Sequence, residues 1–346
     1  YHEVLRRAKE MAGYDALRKE QARARAEGRY IGIGISTYIE ACGIAPSAVV
    51  GALGARAGLY ESAGVRVEPT GKISVFVGSH AQGQGHETTF AQVVAERLGI
   101  DMADVEIVHG DTGSVPFGMG TYGSRSLAVG GSAIVKSVNK IIDKATKIAA
   151  HLLEAGEQDL EFSGGKWTVK GTDKSIPFAD VSLAAYVPHQ YPEGLEPGLD
   201  ETSFYDPVNF TFPYGAHIAV VEVDVDTGKV TLNRFIACDD VGNVVNPMVV
   251  DGQIHGGIAQ GVGQALLEGA IYDESAQLVT ASYMDYAMPR ADDLPSYETD
   301  RTVTPCPHND LGVKGVGEAG TIGSTAAVSN ALIDALWSLG VRHVEM

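Results

Sequence analysis

Val223-Asp224-Val225-Asp226-Thr227-Gly228-Lys229-Val230-Thr231-Leu232 alternates apolar and polar residues on both sides of a Thr-Gly-Lys turn. Alternation at period two suits a half-buried strand, so the stretch predicts a β-hairpin. Val65–Val75 repeats the plan through Val67-Glu68-Pro69-Thr70-Gly71-Lys72-Ile73. Each hairpin is followed by a glycine-rich turn and a helical pattern, Gln82–Leu98 after the first and Gly252–Glu268 after the second. The expected fold class is therefore α+β, with two related subdomains of mixed β-sheets and packed helices.

Outward from the hairpins, residues 1–28 read as one amphipathic helix, with Val4, Leu5, Met11, Tyr14 and Leu17 on its apolar side. Tyr30–Tyr38 alternates as a strand does, with small residues on one side. Gly130–Glu154 reads as a further helix, and Phe162–Trp167 as a hairpin turn. Residues 188–215, rich in proline, glycine and aromatics, read as an extended surface excursion. These features predict a helical lead-in at 1–28, a first subdomain at 29–210 and a second at 211–346. The opening lacks methionine, and Val344-Glu345-Met346 has strand character. Both ends read as cuts through a longer polypeptide.

The 346 residues are 45% apolar and 20% charged, which suits a packed protein of two domains. A formal charge of −18 argues against nucleic acid or an anionic membrane as partner. Cys42, Cys238 and Cys306 form no Cys-x-x-Cys pair, so zinc ribbons and iron–sulfur clusters are not expected. Scattered thiols fit a reducing cytoplasm, as small buried hydrophobes. No apolar run reaches membrane-spanning length, and the start is not a signal peptide.

Four glycine-rich segments could hold chemistry. Gly78-Ser79-His80-Ala81-Gln82-Gly83-Gln84-Gly85-His86 ends a strand and opens a helix, either as an anion site or as a polar helix cap. His80 and His86 match no common metal-ligand spacing; His86 reads as a donor near the helix start. Gly118-Met119-Gly120-Thr121-Tyr122-Gly123-Ser124-Arg125-Ser126 suits phosphate oxygens, or else an ordinary capped start. Asp251-Gly252-Gln253-Ile254-His255-Gly256-Gly257 carries glycines into a helix, where close helix packing is the plain explanation and Gln253 can face a ligand. Lys314-Gly315-Val316-Gly317-Glu318 holds a carboxylate between glycines. Asp239-Asp240 and Asp224/Asp226 read as exposed or capping rather than as acid–base pairs.

Together the four segments, with Glu196-Pro197-Gly198-Leu199 and Asn246-Pro247-Met248, resemble the molybdenum-binding large subunit of the xanthine oxidase family of molybdenum hydroxylases. The aerobic carbon monoxide dehydrogenase branch and its homologues are nearest. The resemblance implies a molybdopterin cytosine dinucleotide cofactor with Mo. Gln82, Gly83, Gln84, Gly85 and His86 would line the pterin and its phosphate. Gly123, Ser124, Arg125 and Ser126 would meet the dinucleotide phosphates, Gln253 the pterin, and Lys314 would lie near it. Glu318 matches the family's general base. Electrons would leave through an iron–sulfur small subunit carrying [2Fe-2S] and a medium subunit carrying FAD, in a dimer of heterotrimers. The copper-binding loop of true carbon monoxide dehydrogenases has no counterpart in this sequence, and Cys42 is no substitute. Implied substrates are carbon monoxide, or an aldehyde or N-heterocycle at Mo without copper. The rival from another class is a non-catalytic cofactor carrier or assembly fragment.

Overall fold

The computed structural model describes residues 1–44 and 46–344. The first elements in chain order are α1 (His2–Ala12), α2 (Tyr14–Ala26), β1 (Tyr30–Ile39), α3 (Ser47–Ala52), β2 (Glu61–Val67), β3 (Ile73–Val77) and α4 (His86–Leu98). Next come β4 (Val105–His109), α5 (Ser132–Leu153), β5 (Leu160–Ser163), β6 (Lys166–Val169), β7 (Ser175–Pro177) and α6 (Phe178–Ala184). Last are β8 (Leu199–Tyr205), β9 (Tyr214–Val223), β10 (Val230–Asp240), α7 (Pro247–Leu266), β11 (Tyr297–Thr302) and α8 (Ala319–Leu336). Two compact units result. One is Gly43–Phe210 with Pro307–Val313; the other is Tyr1–Cys42 with Thr211–Cys306 and Lys314–Met346.

Each unit, taken by itself, is built on the same sheet. In the first, the order is β8-β2-β3-β4, with β2–β3 as the antiparallel hairpin, β8 antiparallel to β2 and β4 parallel to β3. In the second, the order is β1-β9-β10-β11, with β9–β10 as the hairpin, β1 antiparallel to β9 and β11 parallel to β10. A parallel neighbour requires a crossover, supplied by α4 in one unit and α7 in the other. The expected α+β class with mixed sheets is the class the chain adopts. Gly71 and Gly228 take φ of +84° and +75°, and each N–H returns to the first residue of its turn, Glu68 or Asp224. The second turn holds one residue more, and the loop absorbs it without changing the plan.

In the first unit, Val65, Val75, Phe90, Leu98, Ile134, Ile141 and Leu199 form a buried core between the sheet and helices α4 and α5. Within the same core, Trp167 is fully buried and donates its indole N–H to Thr146 Oγ1 at 2.8 Å. In the second unit the faces of β1 divide by residue size. Ile33 packs with Val4 and Ala8 of α1, while Gly32 and Gly34 turn to α8. A Cβ would fall 1.9 Å from the Ala331 carbonyl oxygen at Gly32, and 2.0 Å from that of Ala327 at Gly34. The small side of the strand is thus a bed for a helix. Phe235, Val221, Ile258 and Val328 fill the core around it, and complete burial of such side chains contributes about 1.5–3 kcal/mol each.

Several expectations need correction. Residues 1–28 form two helices, not one, because Gly13 enters the left-handed region at φ +60° and closes α1. Helix α1 and strand β1 both group with the second unit, which takes in residues 1–42. The 188–215 excursion contains β8, a strand of the first sheet. Helix α4 begins at His86 rather than at Gln82, and α7 begins five residues early, at Pro247 behind the Asn246 cap. The strand expected at 344–346 rests on Glu345 and Met346, outside the described residues, and Val344 is irregular.

Candidate functional site

The loop after β3 and the loop before α5 are joined within the first unit. Gly78 and Gly118 lie back to back, so that a Cβ on Gly78 would fall 2.3 Å from Gly118 Cα. Thr121 Oγ1 donates to the His80 carbonyl at 2.6 Å, and Ser126 Oγ pairs with Thr121 Oγ1 at 2.8 Å. Gly83 and Gly85 adopt φ of +102° and +74°, and Gly85, lacking a side chain, leaves the start of α4 without a side-chain cap. Gln82 is exposed, and its side-chain Oε1 accepts from Gln84 Nε2 at 2.9 Å. His86 is buried against Phe90; burial, first of all, lowers its pKa, and its Nδ1 has no hydrogen-bond partner.

In the second loop Gly123 and Ser124 both sit in the left-handed region, at φ +56° and +51°. For serine this conformation costs on the order of 1 kcal/mol, which the surroundings must hold in place. Arg125 follows this turn and is bonded to the protein on every side. Its guanidinium is fully buried. Nε donates to Ile44 O at 3.0 Å, Nη1 to Glu61 Oε2 at 3.1 Å and Gly120 O at 3.2 Å, and Nη2 to the carbonyls of Leu59 and Tyr60. All five donors of the fork are engaged. A π-helical turn, Ser126–Gly131, then leads into α5.

Gln253, Lys314 and Glu318 belong to the second unit. Gln253 is half-buried on α7, between Gly252 and Gly256, whose Cβ positions meet nothing within 4 Å. Gly257 faces Gly320: a Cβ there would lie 2.8 Å from Gly320 Cα, and one on Gly261 would lie 1.9 Å from Ser324 Oγ. Close packing of α7 on α8 accounts for these glycines, as expected. Glu318 is exposed at the N-cap of α8, and its carbonyl accepts from Thr321 N and Ile322 N at 3.1 Å each. Neither Gly315 nor Gly317 needs a positive φ; Gly312, at +65°, does.

Lys314 is nearly buried and engaged by the protein itself. Its ammonium donates to Asp240 Oδ1 at 2.7 Å and lies over the Tyr214 ring, 4.7 Å from the centroid. Asp240, read from sequence as exposed or capping, is fully buried, as is Asp239. Burial opposes the charge on Asp240, but hydrogen bonds from Lys314, Thr302, Thr304 and the Gly242 N–H outweigh it and hold the carboxyl below its usual range. Asp239 Oδ1 accepts from Tyr38 OH at 2.7 Å and pairs with His217 Nε2 at 3.0 Å. Asp224 and Asp226 sit in their hairpin turn, where Asp224 Oδ1 accepts from Asp226 N at 3.0 Å, as expected.

Sequence reasoning also passed over Glu61, a carboxylate with no exposure at the start of β2. Its signal was faint: an acid opening a strand whose following residues are small and apolar. The thiols are buried, as expected. Cys42 Sγ lies 3.0 Å from Thr211 Oγ1, and burial, reinforced by Glu40, pushes the thiol up to about 12. Among the described residues no three His, Cys, Asp or Glu side chains converge as metal ligands. Among them, too, no helix is long and apolar enough to cross a membrane.

These residues fit an anionic, hydrogen-bonding group such as a pterin phosphate. The α4 start is uncapped, Gly83 faces open space, and the buried His86 Nδ1 lacks a partner. In the second unit, Gln253 stands between two glycines with open space above them.

Comparison with known proteins agrees. A family described as "Molybdopterin cofactor-binding domain" matches residues 7–295. The carbon monoxide dehydrogenase large chain of Hydrogenophaga pseudoflava is 43% identical, over 100% of this chain and 43% of that protein. The nicotine 6-hydroxylase large subunit of Paenarthrobacter nicotinovorans is 37% identical, over 98% and 42%. The crystal structure of a Cu,Mo-CO dehydrogenase in its carbon monoxide reduced state superposes with a TM-score of 0.94 at 41% identity, covering 100% of this chain and 44% of that one. Quinoline 2-oxidoreductase from Pseudomonas putida 86 gives a TM-score of 0.92 at 40% identity, covering 99% and 43%. The chain spans less than half the length of these relatives. Its sheets, its glycine-rich loops and its match over residues 7–295 lead to one assignment: the chain belongs to the molybdopterin cofactor-binding domain family.

Proposed function

We propose that this chain is the cofactor-binding part of a molybdenum hydroxylase large subunit, of the carbon monoxide dehydrogenase type, with Glu318 as general base. The observation that carries the reading is how Glu318 is fixed. Four residues before it Lys314 is tied to Asp240, and two residues after it Gly320 packs on Gly257. An exposed carboxylate held from both sides is suited to take a proton at a defined place, a contribution of about 10²–10⁴-fold in rate. The bound cofactor would supply two-electron redox chemistry, with water as the oxygen source. Gln82, Gly83, Gln84, Gly85 and His86 are proposed to bind it through backbone N–H groups and the buried imidazole. The Gly123–Ser126 turn would present backbone and hydroxyl groups, with Arg125 shaping the turn from inside. Gln253 would supply amide contacts and Lys314 would act through its anchor. The proposed cofactor is molybdopterin cytosine dinucleotide. Proposed partners are the rest of the large subunit, an iron–sulfur subunit and an FAD subunit, as a cytoplasmic dimer of heterotrimers.

A second reading, hydroxylation of an N-heterocycle without copper, is favoured by one observation. Quinoline 2-oxidoreductase superposes almost as well as the Cu,Mo-CO dehydrogenase, at 0.92 against 0.94. The test is analysis of the native complex for Mo, copper and acid-released cytidine monophosphate, followed by assays with carbon monoxide, aldehydes and N-heterocycles. Mo with cytidine monophosphate and turnover of carbon monoxide supports the first reading. Turnover of a heterocycle without copper supports the second. A complex with neither Mo nor pterin would leave a non-catalytic carrier.

A further inference from the structure

Glu61 stands where the two loops of the first unit meet. Its Oε2 accepts from Arg125 Nη1 at 3.1 Å and from Ser79 Oγ at 3.5 Å, and Oε1 accepts from Ser62 N at 3.2 Å. The carboxylate also accepts a hydrogen bond from the Met119 backbone. It therefore touches the 78–86 loop through Ser79 and the 118–126 loop through Met119 and Arg125. Space for it is made by glycine: a Cβ on Gly78 would fall 2.0 Å from Glu61 Oε1. Both members of the Arg125–Glu61 pair are fully buried.

Such a pair is a poor device for stability. Removing two charges from water costs as much as their attraction returns, and apolar residues of the same volume often serve as well. Consistently, burial raises the Glu61 pKa despite the pull of Arg125. What an apolar pair would not do is orient five Arg125 donors and two loop segments at once. We propose that Glu61 is a positioning residue that locks both cofactor-binding loops in register through Arg125, Ser79 and Met119. This rests on the molybdopterin reading above.

The test uses the native complex with full-length large subunit, as wild type, Glu61→Gln and Glu61→Asp. Glu61→Asp keeps the charge balance, so it covers the case in which Glu61→Gln does not fold. Two quantities are read: backbone hydrogen–deuterium exchange over 78–86 and 118–126, and the rate at which cytidine-monophosphate-containing cofactor is lost on dialysis. The expected result is faster exchange in both loops together, unchanged exchange across β9 and β10, and cofactor loss faster by roughly tenfold or more. Loops exchanging as in wild type, a rise spread evenly over the whole chain, or undiminished cofactor retention would each overturn the inference while leaving the function standing. Wild-type complex without pterin would overturn both, and is read before any variant is compared.

Discussion

The ammonium of Lys314 is bonded to Asp240 Oδ1 at 2.7 Å, with Asp240 fully buried and Lys314 nearly so. The Lys314 N–H also donates to Val241 O at 2.8 Å, and the next N–H, that of Gly315, to Thr211 Oγ1 at 3.4 Å. The strand end thus fixes the backbone that leads into Glu318. Asp240→Asn should leave the ammonium buried without its counter-charge. We expect a loss of about 3–5 kcal/mol in urea unfolding, together with lower turnover per bound Mo.

The same contact sets a pH dependence. The Asp240 pKa is depressed in the folded state, so its contribution is complete above the unfolded carboxylate pKa of about 3.9 and disappears as pH falls through the lower folded value. Unfolding free energy measured from pH 6 down to pH 2 should fall less steeply below about pH 4 in Asp240→Asn than in wild type. Parallel curves would remove Asp240 from the account.

Gly257 and Gly256 are neighbours on α7 with opposite surroundings. Gly257→Ala drives a Cβ to 2.8 Å from Gly320 Cα, displacing the start of α8 and with it Glu318. It should cost about 1–3 kcal/mol and reduce turnover. Gly256→Ala meets nothing within 4 Å and should stabilise the cofactor-free chain by up to about 1 kcal/mol, as helix propensity dictates. Thermal melts of both variants check the contrast.

Arg125→Lys separates an inward anchor from a phosphate ligand. A lysine cannot reproduce the five-donor fork that holds Ile44, Leu59, Tyr60, Gly120 and Glu61. The cofactor-free protein should therefore already be less stable, by about 2 kcal/mol in denaturant unfolding. A loss seen only with cofactor bound would instead make Arg125 a ligand.

Much of the fold was legible because its signals are local. Thr-Gly-Lys turns between alternating residues name the hairpins, and Gly32 and Gly34 on one side of β1 announce a close neighbour, though not that it is α8. The glycine-rich segments were legible for the same reason, since turns and helix starts depend on residues next to each other. The contacts that were not legible are those whose partners lie far along the chain. Arg125 and Lys314 have charges suited to phosphate, but their carboxylates are 64 and 74 residues away. Asp239 reads as a turn residue, yet it pairs with His217 of the neighbouring strand β9 and with Tyr38 of β1, one strand further across the sheet. Pairing across a sheet decides such cases, and a lone sequence does not display it.

Glu318 is the proposed general base. The most direct measurement is turnover per bound Mo in the native complex carrying Glu318→Gln, which keeps the side chain's size and removes its basicity. The account predicts unchanged Mo and pterin content with turnover lower by at least about 10²-fold. Near-normal turnover at full Mo content would contradict it.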